Sequence, residues 1–179
     1  MKPKVILNSK EISILLERLT CELIENHVDF SNTVLIGIQP RGIVLMEKIV
    51  TILKEKYHFK DLKTGVLDIT FFRDDFRRRE EPLEANKTSI NVLIEKKRVV
   101  LIDDVLFTGR SIRAALTAID NYGRPDDVEL LVLIDRRFSR NLPIQPKYIG
   151  KQVDAFNTEK VHVQWSENGN NDKVFLKVK

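Results

Sequence analysis

The sequence predicts an α/β protein with a central, mostly parallel sheet flanked by helices. Three short apolar runs rich in β-branched residues have the length of buried strands, and they cover residues 33–38, 99–102 and 128–134. The first two are each followed by a turn that contains glycine and then by apolar residues at helical spacing. Repeated strand–turn–helix units place the strands parallel and the helices on the faces of the sheet.

Length, composition and charge narrow the class of protein further. A chain of 179 residues, 42% hydrophobic and 31% charged, is long and apolar enough to bury a core, and we expect one domain, 1–179. The net charge of +4 fits a polyanionic small molecule or a nucleic acid as partner and decides neither. The single cysteine, Cys21, excludes an intrachain disulfide. The sequence shows no signal peptide and no apolar run of membrane-spanning length, which predicts a cytoplasmic protein without membrane contact.

The first element that we expect is an amphipathic helix near the N-terminus. Asn8 or Ser9 can cap this helix, which runs to about Val28. Its packing face repeats at intervals of three and four residues, and that face consists of Ile12, Leu15, Leu16, Leu19, Leu23 and Ile24. The opposite face is mixed in charge and slightly acidic.

The strand 33–38 ends in a short turn before the second predicted helix. The turn consists of Gln39, Pro40, Arg41 and Gly42. A glycine-bearing turn between a strand and a helix presents backbone N–H groups to an anion, and Arg41 adds a positive charge. The alternative interpretation is a plain strand-to-helix turn.

A third strand is predicted from Thr64 to Phe72, and a segment dense in charge follows it. Residues 73–82 contain too few apolar side chains to bury themselves. A solvated loop is the simplest interpretation. The functional interpretation, which we favour, is a lid that closes over a bound substrate and excludes water from it. In that case Arg73 reaches toward the substrate, whereas the basic run 77–79 stays at the surface.

The run from Arg98 to Ser111 combines a buried strand with chemically useful residues. After the apolar run come two adjacent acids, Asp103 and Asp104, and then a short spacer and the turn 108–111. Ligands of open parallel sheets bind outside the carboxyl ends of the strands, and phosphates bind at helix N-termini. We therefore expect the turn to hold a phosphate and the acids to reach neighbouring hydroxyl groups. A sugar phosphate fits both halves.

The remaining chain completes the sheet and adds a C-terminal hairpin. Residues 89–93 favour a short strand, and the third helix runs from about Gly109 to Tyr122, with Gly123 well placed to end it. The basic loop 135–143 follows the strand 128–134, and a short strand begins at Tyr148. The last 19 residues predict a hairpin around residues 167–171.

These landmarks resemble those of a known enzyme family. The run 99–111 looks like the PRPP-binding motif of type I phosphoribosyltransferases, where PRPP is 5-phosphoribosyl 1-pyrophosphate. More narrowly, the chain resembles the pyrimidine operon regulator / uracil phosphoribosyltransferase family. The collinear landmarks are G-I-Q-P-R-G at 37–42, D-I-T-F-F-R-D-D at 68–75, I-D-D-V-L-F-T-G-R-S at 102–111, G-R-P at 123–125, V-L-I-D-R at 132–136, L-P-I at 142–144 and Y-I-G-K at 148–151.

The resemblance implies the type I phosphoribosyltransferase fold, with a flexible loop and a small hood, and a role for each motif. It implies that Asp103, Asp104 and Arg73 are catalytic. The groups expected to bind substrate are Thr108, Gly109, Arg110 and Ser111 for the 5′-phosphate, Gln39, Pro40, Arg41 and Gly42 for the pyrophosphate, and Arg136, Arg137 and Phe138 for the base. Mg²⁺ is expected to bind mainly through PRPP, so we predict no metal-ligand set in the protein itself.

The function that the resemblance favours is conversion of uracil and PRPP to UMP and pyrophosphate by a pentosyltransferase. Two alternatives stay open. One is a pyrimidine-responsive, RNA-binding regulator of transcription attenuation with weak or no enzymatic role, and the other is a purine-base phosphoribosyltransferase. The family also implies at least a homodimer.

Two departures from the family pattern bear on these alternatives. In RNA-binding members the first helix contributes basic residues, but here its exposed side carries only Lys10 and Arg18 as cations. The base-side loop reads D-R-R-F-S-R-N-L-P, where the family usually has D-R-G-H-R-E-L-P. The first departure argues against RNA binding without excluding it, and the second leaves the identity of the base open.

Overall fold

The computed structural model describes residues 3–74, 87–155, 158–166 and 171–178. The central strands and helices alternate along this part of the chain, as the sequence predicts. In chain order the elements are β1 (Lys4–Leu7), α1 (Ser9–His27), β2 (Thr33–Ile38), α2 (Arg41–Glu55), β3 (Lys63–Leu67), a single 3-10 turn (Thr70–Phe72), β4 (Arg98–Leu106), α3 (Arg110–Ile119), β5 (Asp127–Arg137), β6 (Tyr148–Asp154), β7 (Glu159–Gln164) and β8 (Lys173–Val178).

A five-stranded parallel sheet forms the centre of the molecule and confirms the predicted α/β class. Its strand order is β3-β2-β4-β5-β6. Apolar residues of α1 and α2 pack in one core cluster on one face, and those of α3 pack in a second cluster on the other face. The sheet is therefore buried on both faces, which explains why its strands read as continuous apolar runs.

The order of the strands creates a crevice between β2 and β4. From β2 the chain passes through α2 to β3 on one side, and from β4 it passes through α3 to β5 on the other side. This divergence is a topological switch point, where the two connecting helices lie on opposite faces and leave the carboxyl ends of the strands open. The fold thus places the turn 39–42 and the turn 108–111 at the two sides of one opening.

Helix α1 begins where the sequence predicts. Asn8 accepts a hydrogen bond from the backbone N–H of Glu11, and the Glu11 carboxylate accepts one from the backbone N–H of Asn8, at 3.0 and 2.8 Å. This reciprocal capping box satisfies two of the N–H groups at the helix start. Cys21 lies in this helix, with its Sγ atom 3.1 Å from the Tyr57 hydroxyl oxygen.

The third strand is shorter than the sequence predicts, because Asp68 ends it. The Asp68 carboxylate accepts hydrogen bonds from the backbone N–H and the hydroxyl of Thr70, at 2.8 and 2.6 Å. Such a side-chain-to-backbone contact competes with the strand ladder and starts the 3-10 turn. The predicted strand at 89–93 is also wrong: Ser89 makes only an isolated antiparallel bridge with Val66.

A separate three-stranded antiparallel sheet with the order β1-β8-β7 forms the hood. The predicted C-terminal hairpin corresponds to β7 and β8. Of its predicted turn, 167–171, the first four residues lie outside the described part of the chain. Strand β1 was not predicted; it pairs with β8 and ties the N-terminus to the hood. Within the described residues, no helix is both long enough and apolar enough to cross a membrane.

A polar cluster around the buried Glu129 lies at the amino ends of β4 and β5, away from the crevice. The Glu129 carboxylate accepts hydrogen bonds from Tyr148 (2.7 Å), Lys147 (2.6 Å) and Arg98 (2.7 Å), and it lies 3.0 Å from His27 Nε2. Burial by itself would raise the pKa of Glu129, but these hydrogen bonds outweigh it and lower the pKa to about 2. The cluster therefore stabilises the folded state through an ionised Glu129.

Replacing Glu129 by alanine should lower the free energy of unfolding by about 1–3 kcal/mol, because the replacement leaves the buried Tyr148 hydroxyl without its acceptor and the partly exposed Lys147 and Arg98 without their acid. The wild-type contribution should be complete above about pH 4.3, the ordinary pKa of glutamate, and should be lost as the pH falls toward 2. Urea unfolding at several pH values measures both effects. The exposed Glu25 serves as the control for substitution, and a Glu129 variant as stable as the Glu25→Ala variant would contradict the prediction.

Candidate active site

The crevice at the switch point contains two adjoining cavities. One, of about 420 Å³, is bordered by the turn 108–111 and by Arg73 and Asp74. The other, of about 730 Å³, is bordered by the turn 39–41 and by strand β7 of the hood. Arg73 and Asp103 line both cavities, so the two form one continuous cleft of a size that holds a small ligand.

The two acids stand within β4, although the sequence places them just after it. Strand β4 pairs with β2 only as far as Ile102 but continues to pair with β5 through Leu106. Beyond Ile102 one edge of β4 is therefore open to the crevice. Consecutive residues of a strand point to opposite faces, and accordingly Asp103 borders both cavities whereas Asp104 borders only the one beside the turn 39–41.

Both acids are held in an environment that opposes their negative charge. Burial raises the pKa of Asp103, and the neighbouring Asp104 raises it further. Burial also raises the pKa of Asp104, against the opposing effect of Arg41, whose Nη1 atom lies 3.8 Å from Asp104 Oδ2. Asp104 Oδ2 is buried and has no hydrogen-bond partner among the described residues. The cleft therefore favours a ligand that brings positive charge or hydroxyl groups to these acids.

The turn 108–111 is built to receive an anion. Gly109 has φ = +89°, a conformation that residues with side chains rarely adopt, and it precedes the first residue of α3. Gly109, the N-cap residue, supplies no side-chain cap, and the backbone N–H of Arg110 donates to the Thr108 hydroxyl oxygen at 3.4 Å. The residues of this first helical turn border the smaller cavity, where the N-terminus of a helix favours an anion. The backbone N–H of Asn141 donates to the Thr108 carbonyl oxygen at 3.0 Å and fixes the far side of the turn.

The turn 39–42 meets β4 at very close range. A Cβ atom on Gly42 would lie 2.1 Å from the carbonyl oxygen of Ile102, so only glycine allows α2 to begin here. The N-terminus of α2 also has no side-chain cap, and Arg41 is half-exposed beside it. Gln39 borders the larger cavity, but its hydrogen-bonding groups are engaged: its backbone N–H donates to the Leu67 carbonyl oxygen and its side-chain amide donates to the Lys87 carbonyl oxygen. Gln39 therefore braces the turn and leaves the anion-binding groups to the rest of it.

Of the predicted base-side residues, the structure brings only Arg136 to the cleft. Arg136 is 4% exposed, and its guanidinium carbon lies 4.0 Å from the centre of the Phe107 ring. Burial lowers the pKa of Arg136. Arg137 pairs with Asp154 at 2.6 Å, and Phe138 is 84% exposed; neither borders the two cavities among the described residues.

The hydrogen bonds of Arg140 account for this arrangement. Its guanidinium donates to the Phe107 carbonyl oxygen and to the Asp135 carboxylate. These bonds hold the loop beside Phe107, which directly precedes the turn 108–111, and Phe138 takes the left-handed conformation, with φ = +64°. The aromatic ring that borders the cleft is therefore that of Phe107. From the sequence, Phe107 is assigned only to the spacer between the two acids and the turn 108–111.

The hood supplies a wall of the cleft that the sequence does not predict. Glu159, Lys160 and Val161 at the start of β7 border the larger cavity. No sequence signal links this strand to the crevice, because 21 residues separate it from the end of β5 and the strand itself carries none of the family landmarks. The position of Phe107 in the cleft could have been predicted from the sequence, since Phe107 directly precedes the turn 108–111. The predicted lid beyond Asp74, including residues 77–79, lies outside the described residues.

Comparison with known proteins agrees with this geometry. A family model described as "Phosphoribosyl transferase domain" matches residues 4–168. Two curated relatives carry the name "Bifunctional protein PyrR". The one from Caldicellulosiruptor bescii is 41% identical over 98% of this chain and 95% of its own length. The one from Enterococcus faecalis is 38% identical over 98% of this chain and 97% of its own length.

Solved structures share the fold at much lower identity. The hypoxanthine phosphoribosyltransferase of Trypanosoma cruzi gives a TM-score of 0.71 at 13% identity, covering 98% of this chain and 97% of that protein. A hypoxanthine phosphoribosyltransferase from Staphylococcus aureus gives 0.65 at 21% identity, covering 86% and 80%. These likenesses confirm the predicted type I phosphoribosyltransferase fold. Together with the matches along nearly the whole sequence, they show that the chain belongs to the phosphoribosyltransferase family and, within it, to the PyrR group.

Proposed function

We propose that the cleft transfers the phosphoribosyl group of PRPP to uracil, giving UMP and pyrophosphate, in an assembly of at least two copies of the chain. The observation that carries the proposal is the position of Asp103, which is half-buried, and Asp104, which is buried, between the N-termini of two helices that lack a side chain on the N-cap residue to cap them. PRPP has the same order of groups: a phosphate, a ribose with hydroxyls, and a pyrophosphate. The 5′-phosphate goes to the turn 108–111, the ribose hydroxyls to Asp103 and Asp104, and the pyrophosphate to the turn 39–42.

The acids and cations contribute mainly by electrostatic stabilisation and positioning. As the bond from C1 of the ribose to pyrophosphate breaks, positive charge develops on the sugar ring and negative charge on the leaving group. Asp103 and Asp104 favour the positive ring, while Arg41 and Arg73 favour the leaving pyrophosphate. N1 of uracil then bonds to C1, and the N1 proton passes to the departing pyrophosphate or to water. No covalent intermediate with the protein is required, because the cleft holds both reactants in line.

The residues present fit a magnesium ion that arrives with the substrate. The described residues contain no group of three or more acids, histidines and cysteines that could cage a metal. Mg²⁺ commonly binds through one or two carboxylates together with substrate phosphates. Asp103 and Asp104 are the groups that would hold it, and Asp104 Oδ2 accepts no hydrogen bond among the described residues. When bound, the ion neutralises charge on the pyrophosphate.

The base half of the site is proposed to lie between Phe107, Arg136 and the start of β7. Phe107 is 39% exposed and offers an aromatic face, and the Arg136 guanidinium stacked on it orients the ring. Arg136 carries hydrogen-bond donors that suit the carbonyl oxygens of a pyrimidine. Arg137 and Phe138, proposed from the sequence as base-binding, contribute only if the loop moves inward when a base binds.

A panel of bases tests the proposal. With Mg²⁺ and PRPP, uracil should give faster release of pyrophosphate than hypoxanthine, guanine or xanthine, and the product should be UMP by chromatography. Faster turnover of a purine base would show that this base, and not uracil, is the preferred substrate. No turnover with any base would remove the enzymatic function from this cleft.

Replacing Arg73 by alanine should lower kcat/KM for PRPP about 10- to 100-fold, because the leaving pyrophosphate loses one positive charge. Steady-state kinetics at varied PRPP measures this. An unchanged kcat/KM would show that Arg73 takes no part in the reaction, and the melting temperature of the variant serves as the control for folding.

RNA binding is the second candidate function. It is supported by the name of the relatives, which describes them as bifunctional. In the structure the basic groups of α1 are partly engaged elsewhere. Arg18 is ion-paired with Glu22 and donates to the carbonyl oxygens of Ile149 and Gly150. Binding to a pyrimidine-operon leader RNA, with no turnover of any base, would favour this second function over the first.

A further inference from the structure

Asp74 joins the segment that follows β3 to the start of α3. Its Oδ2 atom accepts hydrogen bonds from Arg110 and from Arg113, the second at 3.0 Å. Arg110 is the first residue of α3, and Arg113 lies one turn further along. We call this set of two ion pairs the Asp74 clasp.

Arg73, the residue before Asp74, borders both cavities. Arg73 is half-buried, and it belongs to neither a helix nor a strand. Consecutive Cα atoms are about 3.8 Å apart, so a fixed Asp74 also fixes the backbone from which the Arg73 side chain extends. The clasp therefore restrains the direction of Arg73 although it makes no contact with the larger cavity.

The alternative role for Asp74 is an electrostatic effect on a phosphate bound in the smaller cavity. Asp74 borders the smaller cavity, where its negative charge opposes a bound phosphate and neutralises part of the charge on Arg110. An effect of that kind needs only the contact with Arg110. The same oxygen also binds Arg113, which does not border the smaller cavity. The second ion pair adds an anchor, and so the geometry favours positioning.

We propose that Asp74 is a positioning residue whose clasp to Arg110 and Arg113 holds Arg73 over the two cavities. The proposal rests on the proposed function for the identity of the group that Arg73 meets, the departing pyrophosphate. In this proposal Asp74 affects binding of the pyrophosphate group of PRPP, although Asp74 itself lies beside the turn 108–111, where the 5′-phosphate is proposed to bind.

Four variants separate these roles. Asp74→Asn keeps the size of the side chain and removes its charge, whereas Asp74→Glu keeps the charge. Arg113→Gln breaks one arm of the clasp at a residue outside the cleft. Glu22→Gln is the matched control, because the Glu22 side chain is 33% exposed and paired with Arg18, while that of Asp74 is 32% exposed.

The measurements are kcat with Mg²⁺, PRPP and uracil, the dissociation constants of magnesium pyrophosphate and of ribose 5-phosphate by calorimetry, and the melting temperature. Asp74→Asn should lower kcat about three- to tenfold and weaken pyrophosphate binding by a similar factor. Binding of ribose 5-phosphate should not weaken. Asp74→Glu should recover part of the loss, Arg113→Gln should show a smaller loss, and Glu22→Gln should match wild type.

The decisive comparison uses the Arg73→Ala background. If Asp74 acts through Arg73, adding Asp74→Asn to Arg73→Ala should lower kcat no further. A further loss of threefold or more would overturn the proposal, as would an equal weakening of ribose 5-phosphate, or wild-type kinetics for Asp74→Asn. If no base is turned over, the proposed function fails by itself, and the two binding constants still decide whether the clasp acts on the pyrophosphate half.

Discussion

Replacing Asp103 and Asp104 together by asparagine should lower turnover of PRPP by at least about a thousandfold. The two carboxylates are the acids that border the cleft at the open edge of β4, so their loss removes the negative charge opposite the developing sugar cation. The loss of a single well-placed electrostatic group typically costs a factor of about 100 to 1,000 in kcat. Pyrophosphate release at saturating PRPP and uracil measures the effect.

The same substitution should make the unliganded protein more stable. Burial raises the pKa of both acids, and their proximity raises that of Asp103 further. A carboxyl group with a raised pKa in the folded state favours folding at low pH, and this contribution is lost as the pH rises through the folded pKa. At pH 8 the double variant should therefore melt at a higher temperature than wild type, and the difference should shrink toward about pH 4.

These two results together distinguish a functional pair from a structural one. A structural pair would give an inactive variant that is also less stable. Undiminished turnover in a folded double variant would contradict the assignment of these acids to the ribose. A melting temperature below that of wild type at pH 8 would contradict the account of their charge.

Replacing Gly42 by alanine should reduce kcat/KM for PRPP about 100-fold or more and lower the free energy of unfolding by about 1–3 kcal/mol. The added Cβ would lie 2.1 Å from the Ile102 carbonyl oxygen, a backbone atom that cannot rotate away. The start of α2 must then move off β4, which separates the turn 39–42 from Asp103 and Asp104. Steady-state kinetics and urea unfolding measure the two effects.

Gly65 provides the matched control for this steric argument. A Cβ atom there would meet the Ile90 side chain at 3.2 Å, and a side chain can shift by a few tenths of an ångström. Gly65→Ala should therefore keep kcat/KM within about twofold of wild type. Equal losses in the Gly42 and Gly65 variants would show that the close approach to β4 is not what matters.

The sequence predicts the sheet, the three helices and the two phosphate-side turns because these depend on local patterns. Each of these features determines the structure of residues only a few positions away along the chain. They are the apolar runs, the capping residue Asn8 and the glycine turns. The four-residue strand extension, 103–106, that carries the acids was less predictable. The pairing of β4 with β5 determines it, since the apolar pattern stops at Ile102 while the hydrogen-bond ladder continues.

The base side was harder to predict, because it depends on contacts between distant segments. Arg140 donates to the Phe107 carbonyl oxygen, 33 residues earlier in the chain, and this contact accompanies an outward Phe138. The Asp74 clasp likewise spans 36 residues to Arg110. Charge-rich segments look alike in sequence whether their residues are solvated or paired, so only the fold reveals these partners.

The most direct test of the three-part substrate site is a crystal structure with PRPP and Mg²⁺ bound. The account predicts the 5′-phosphate at the backbone of residues 108–111, the ribose hydroxyls within hydrogen-bond distance of Asp103 or Asp104, and the pyrophosphate beside residues 39–42 and Arg73. PRPP bound in the reverse direction, with its pyrophosphate at 108–111, or bound outside this cleft, would contradict it.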